Sequence, residues 1–171
     1  MANKALFLDR DGVINKEVNY LFKIEDFEFI DGIFDLCRHY QEKGYLIIVV
    51  TNQSGIARGY YSEKDFEILT SWMNNEFEHE GIDLHKVYYC PHHPDISGEC
   101  ECRKPDIGMF KEAEEEFGVD LVNSIMVGDN ERDIEAAIKA GLQETYLFDE
   151  HHKVSHSEAT RVVHRLRDIY R

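Results

Sequence analysis

Asp9 and Asp11 stand one residue apart in Asp9-Arg10-Asp11-Gly12-Val13, directly after the apolar run Ala5-Leu6-Phe7-Leu8. Paired carboxylates at the end of an apolar strand are costly unless their charge is offset, and a bound cation does that. A solvated turn is the alternative, since Asp and Gly are ordinary turn formers. Later segments carry matching polar types: Thr51-Asn52-Gln53-Ser54, then Lys104 between Arg103 and Pro105, then Gly128-Asp129-Asn130 with Asp133. The chemistry that wants these types together is phosphoryl transfer. It needs a nucleophile in line with phosphorus, a proton for the leaving oxygen, and cations and donors around the equatorial oxygens. In that scheme Asp9 attacks, Asp11 carries the proton, Thr51 and Lys104 bind the transferring group, and Asp129 completes an oxygen-ligated Mg²⁺ site.

A second constellation is Cys90-x-His92 followed, after seven residues, by Cys100-x-Cys102. Three thiolates and one imidazole are the ligand set of a closed tetrahedral Zn²⁺ site, which is structural because it leaves no open position for water. Unrelated buried thiols are the alternative, and spacing alone does not choose between His92 and His93. Arg103 and Lys104 follow Cys102 immediately, so a metal here would fix the loop that presents both cations. Arg103 suits bidentate binding of a phosphate, with a surface salt bridge as its plain alternative. Arg10 and Arg58 stay open between a part in the site and a surface or packing place, and His151, His152 and His156 read as part of a solvated polar face.

These residues need a scaffold that gathers sequence-distant segments. Strands are expected over 5–8, 45–50, 87–89, 124–127 and 144–148, with helices over 31–43, from Ser62 onward, over 106–117 and over 131–140. Gly44, Gly118 and Gly141 act as helix stops, and residues 154–170 read as a closing helix. Strands alternating with helices predict an α/β fold: a Rossmann-like parallel sheet with helices on both faces. Polar residues following each strand then share one edge, where such sheets bind ligands. The intervals from Asp11 to Thr51 and from Thr51 to Lys104 leave no room for a second, inserted domain. One domain spanning 1–171 is expected.

In this order, Asp9-x-Asp11-Gly12-Val13, Thr51, Lys104 and Gly128-Asp129-x-x-x-Asp133 resemble the four motifs of the haloacid dehalogenase superfamily of aspartate-nucleophile phosphatases. The runs Phe27-Glu28-Phe29-Ile30-Asp31-Gly32, Val50 through Gly59, Tyr89 through Pro94 and Cys102-Arg103-Lys104-Pro105 narrow the resemblance. They resemble the D-glycero-D-manno-heptose 1,7-bisphosphate phosphatases within that superfamily, with the histidinol-phosphate phosphatases as close relatives. The resemblance implies a magnesium-dependent hydrolase with an aspartyl-phosphate intermediate on Asp9. Mg²⁺ would be held by Asp9, the backbone carbonyl of Asp11 and Asp129, with Asp133 orienting Lys104 or a metal-bound water. It favours His92 over His93 as zinc ligand, and implies that Arg103 recognises substrate, a bisphosphate supplying a phosphate that is not being cleaved. Without a cap, Glu17, Asn19, Tyr20, Asn52, Gln53, Ser54, Arg103 and Asn130 are the expected substrate contacts. Asn130 departs from the Lys that many members carry there.

The formal net charge of -15 leaves no basic stripe for nucleic acid or an anionic membrane. No apolar stretch approaches a bilayer span or a signal-peptide core. A small phosphorylated sugar is the expected partner, the cytoplasm the expected compartment, and a monomer the default state. A phospho-accepting receiver domain also gathers acids, a Thr and a Lys at a sheet edge, but its phosphorylated Asp would follow a later strand. A catalytically silent zinc-stabilised binding protein is the remaining alternative.

Overall fold

The computed structural model of the chain describes residues 2–171. Strand β1, Ala5–Leu8, is buried along its whole length. Its side chains alternate, Leu6 and Leu8 entering one apolar cluster and Ala5 and Phe7 the other. That is the pattern of a central strand covered on both faces. β2 (Leu46–Asn52), β3 (Leu84–Cys90), β4 (Ile125–Gly128), β5 (Glu144–Phe148) and β6 (Arg161–Val163) complete a sheet ordered β3-β2-β1-β4-β5-β6. All its pairings are parallel.

Helix α1 (Ile33–Glu42) buries Ile33, Leu36, Cys37 and Tyr40, one stripe at helical spacing. Helix α2 (Glu63–His79) buries Phe66, Leu69, Met73 and Phe77. Most of both stripes lies in the cluster around Leu6 and Leu8, whereas α3 (Gly108–Phe117) and α4 (Glu131–Ala140) contribute to the cluster around Phe7. Each fully buried aliphatic or aromatic side chain contributes about 1.5–3 kcal/mol by transfer from water. Ser62 caps α2 in a reciprocal capping box with Asp65, as its position before the helix predicts.

The chain runs outward from β1 to β2 and β3, then crosses back to the other side of β1 for β4. Connections therefore diverge at the carboxyl ends of β1 and β4, and a crevice opens there. The interval between β1 and β2 holds a short 3-10 turn at Ile24–Asp26 and α1, and that between β2 and β3 holds α2, so no cap domain is inserted.

Two expectations are corrected. Residues 154–170 do not form a helix: they give β6 and a 3-10 turn, Leu166–Ile169. Edge pairing with β5 and burial of Val163, Leu166 and Ile169 in the first cluster outweigh the helical spacing read there. β2 and β3 also run further than expected, so Thr51, Asn52 and Cys90 lie within strands. Among the described residues no helix is long and apolar enough to cross a membrane.

Candidate active site and metal centre

Asp9 follows β1, and its backbone N–H still donates to the Val127 carbonyl of β4 at 3.1 Å. This extension of the ladder aims the Asp9 side chain into the crevice beside Asp129, the residue after β4. Carboxylate oxygens of Asp9, Asp129 and Asp133 lie within 4.8 Å of one another. The backbone at Gly12 passes so close that a Cβ there would sit 1.9 Å from Asp129 Oδ2, and Gly12 has φ +91°. Only glycine fits that approach.

Lys104, 1% exposed, crosses from the loop before α3 into the middle of this cluster. Its Nζ lies 2.6 Å from Asp133 Oδ1 and 3.0 Å from Asp9 Oδ1, and donates to the Val50 carbonyl at 2.9 Å. Burial favours the neutral amine, but Asp133 and then Asp9 outweigh it and raise the Lys104 pKa. Asp133 thus contacts Lys104, and also accepts from the Asn130 N–H at 3.2 Å to cap α4.

One ammonium does not balance three carboxylates. Asp9 is pushed well above the ordinary carboxylate range, first by burial and then by the charges of Asp133 and Asp129. Asp129 is pushed up to about 7, again first by burial and then by Asp133. Glu17 on the rim also rises to about 7, through desolvation and the nearby Asp11 charge. An all-oxygen donor set short of positive charge fits a hard divalent cation. The Asp11 carboxylate stands outside this cluster.

Asp11 is instead held from behind. Its carboxylate accepts from Arg10 Nη2 at 2.9 Å, Asn15 Nδ2 at 3.0 Å and Gln53 Nε2 at 3.1 Å. Arg10 is buried, and the role left open for it in the sequence resolves into a charge partnership with Asp11. Neither Arg10 nor Asn15 was singled out for this from sequence. An Arg between two functional carboxylates was the available signal.

The crevice is a cleft of about 480 Å³ lined by Asp9, Asp11, Lys104, Asp129 and Asp133 at its floor. The residues named as candidate substrate contacts, Glu17, Asn19, Tyr20, Asn52, Gln53, Ser54, Arg103 and Asn130, all line it. Two of them are already engaged. Asn52 clamps the Lys104 backbone, accepting from its N–H at 2.9 Å and donating to its carbonyl at 3.2 Å. Gln53 donates to Asp11 and Thr51 and accepts from the Tyr61 hydroxyl. Thr51 differs from expectation: it is fully buried behind Gln53, its Oγ1 accepting from Gln53 Nε2 at 3.0 Å, and is absent from the cleft wall. Arg58, whose role the sequence left open, lines the cleft, as do Tyr61 and Arg132, which were not predicted.

Beside the cleft, Cys90, His92, Cys100 and Cys102 bring their ligand atoms within 4.8 Å of one another. His92 Nδ1 lies 3.7 Å from Cys90 Sγ and 3.4 Å from Cys102 Sγ, and Cys100 Sγ lies 3.5 Å from Cys90 and 3.7 Å from Cys102. Zn–S bonds of about 2.3 Å in a tetrahedron give S···S edges of about 3.8 Å, so four edges suit zinc. The Cys90 and Cys102 sulfurs instead meet in disulfide contact, which departs from the expected ligand geometry along that edge. A disulfide accounts for two sulfurs and leaves Cys100 and His92 gathered without a reason. The whole donor set fits zinc. His93 turns away, accepting from the Asp95 N–H.

A six-stranded parallel sheet with an aspartate at its switch point, answered by a buried lysine and two further carboxylates, defines a haloacid-dehalogenase-like hydrolase. A HAD-hydrolase-like family model matches residues 101–169. A Campylobacter jejuni D-glycero-alpha-D-manno-heptose-1,7-bisphosphate 7-phosphatase is 52% identical over 153 residues, covering 90% of this chain and 87% of that protein. A Haemophilus ducreyi D-glycero-beta-D-manno-heptose-1,7-bisphosphate 7-phosphatase is 47% identical, covering 86% of this chain and 84% of that one. The crystal structure of a D,D-heptose 1,7-bisphosphate phosphatase from B. bronchiseptica, complexed with magnesium and phosphate, superposes with a TM-score of 0.83. It is 29% identical and covers 95% of this chain and 93% of that one. The chain belongs to the heptose-1,7-bisphosphate 7-phosphatase family, a family of phosphoric monoester hydrolases.

Proposed function

We propose that this chain hydrolyses the C7 phosphate of D-glycero-D-manno-heptose 1,7-bisphosphate, acting in the cytoplasm as a monomer in the making of heptose for a bacterial surface polysaccharide. The observation that carries the chemistry is Asp9, buried at the switch point and bonded by Lys104 Nζ at 3.0 Å, beside Asp129. Substrate identity rests on the relatives, which act on both anomers by name.

Asp9 attacks phosphorus, forming an aspartyl-phosphate as the bond to the sugar oxygen breaks. Asp11, held by Arg10, Asn15 and Gln53, gives that oxygen its proton and then takes one from the hydrolytic water. Lys104 neutralises charge on the transferring group and is itself held by Asp133 and the Asn52 clamp. Thr51, now behind Gln53, reaches the phosphoryl oxygens only when Gln53 shifts. Mg²⁺ bound by Asp9, Asp129 and the Asp11 carbonyl would supply the missing positive charge at the equatorial oxygens. Zn²⁺ bound by Cys90, His92, Cys100 and Cys102 would fix the loop that carries Arg103 and Lys104.

The test is phosphate release from both anomers of the bisphosphate and from histidinol phosphate, with Mg²⁺. Asp9→Asn is expected to cut turnover at least roughly a thousandfold with the fold retained. Undiminished release in that variant would sink the nucleophile assignment, and a preference for histidinol phosphate would overturn the substrate.

A further inference from the structure

Three guanidinium groups arrive at the cleft from three different segments: Arg58 from the loop after β2, Arg103 from the loop before α3, and Arg132 from the first turn of α4. In a chain with 34 Asp and Glu against 19 Lys and Arg, unpaired arginines gathered on one rim are unexpected by composition. Among the described residues none of the three takes part in a salt bridge. Arg103 has one weak donor contact, Nη1 to the His92 carbonyl at 3.4 Å, and Arg58 lies 5.8 Å from the Tyr20 ring.

Arg132 is the least explained. It occupies the first turn of a helix, where the dipole disfavours a cation. The acids flanking it are committed elsewhere: Glu131 accepts from Ser157 Oγ at 2.6 Å and from the Glu158 N–H at 2.9 Å, and Asp133 holds Lys104. Burial and then the charge of Arg132 lower the Arg103 pKa, so the two cations feel each other across the cleft. A dianion placed between them would relieve that repulsion.

Arg103 already has substrate recognition assigned to it by the family resemblance; we propose that Arg132 joins it at the substrate phosphate that is not cleaved, and that Arg132 selects a bisphosphate over a monophosphate. The inference rests on the phosphatase reading above. Because the distal phosphate takes no part in bond making, its contacts act equally before and in the transition state, and they fall on KM rather than kcat.

The experiment compares kcat and KM for heptose 1,7-bisphosphate and for heptose 7-phosphate, which lacks the distal group, in wild type, Arg132→Gln and Arg132→Lys. Loss of a charge-assisted contact is expected to lower the ratio of kcat/KM for the two substrates at least about tenfold in Arg132→Gln, through KM. Arg132→Lys should recover part of that ratio. Arg132 is exposed, so melting temperature should hold in both variants. A ratio within about twofold of wild type, in an enzyme that cleaves both substrates, overturns the role of Arg132 and leaves the phosphatase reading standing. Wild-type protein releasing phosphate from neither substrate overturns both.

Discussion

At the scale of single residues, the cleft floor is held together by an imbalance. Asp129 and Glu17, each raised to about 7, keep protons in the folded, metal-free protein that the unfolded chain has already released. Their contribution to stability is fullest below their unfolded values of 3.8 and 4.5, and it is lost as pH rises through about 7. Mg²⁺ competes with those protons, so the rise in melting temperature on adding Mg²⁺ should be larger at pH ~7.5 than at pH ~5.5. Asp129→Asn should flatten the difference, measured by thermal unfolding across that range. A magnesium effect that shrinks with pH would contradict this account of the site.

At the scale of elements, the loop between β3 and α3 decides where Lys104 and Arg103 point. If zinc holds it, denatured protein kept free of reductant should show all four cysteines of the chain as thiols, with about one zinc released per chain. A Cys90–Cys102 disulfide would leave only Cys37 and Cys100 reactive. Cys100→Ser separates the alternatives a second way: it should lower the melting temperature by at least about 5 °C and release metal if zinc is bound. It should be nearly neutral for a disulfide. Much of this layer was legible in the sequence, because each strand end carries its polar residues in order and Ser62, Gly118 and Gly141 mark helix limits by local chemistry. What was not legible depends on tertiary company. Thr51 sits behind Gln53 because Gln53 reaches Asp11, Arg10 is buried because Asp11 needs a partner, and no local pattern in residues 154–170 announces that β5 has an open edge to fill.

At the scale of the molecule, the C-terminal segment completes the sheet instead of lying over it. Leu166, 1% exposed, sits in the cluster on the α1 face. Leu166→Ala should cost about 2–4 kcal/mol in urea unfolding. KM should not change, since the residue lies outside the cleft lining. A loss under about 0.5 kcal/mol would mean that β6 and the turn after it only decorate the core. The crossover that creates the crevice has a consequence for biosynthesis. β1 pairs with β2 early, yet its other edge waits for β4, more than a hundred residues further on. At roughly 5 to 20 residues per second, a nascent chain presents that apolar edge for several seconds before its partner exists. The central strand that leads into Asp9 is then a bare template for pairing with a neighbouring chain. The crevice and the period of greatest risk of misassembly on the ribosome thus come from the same strand order.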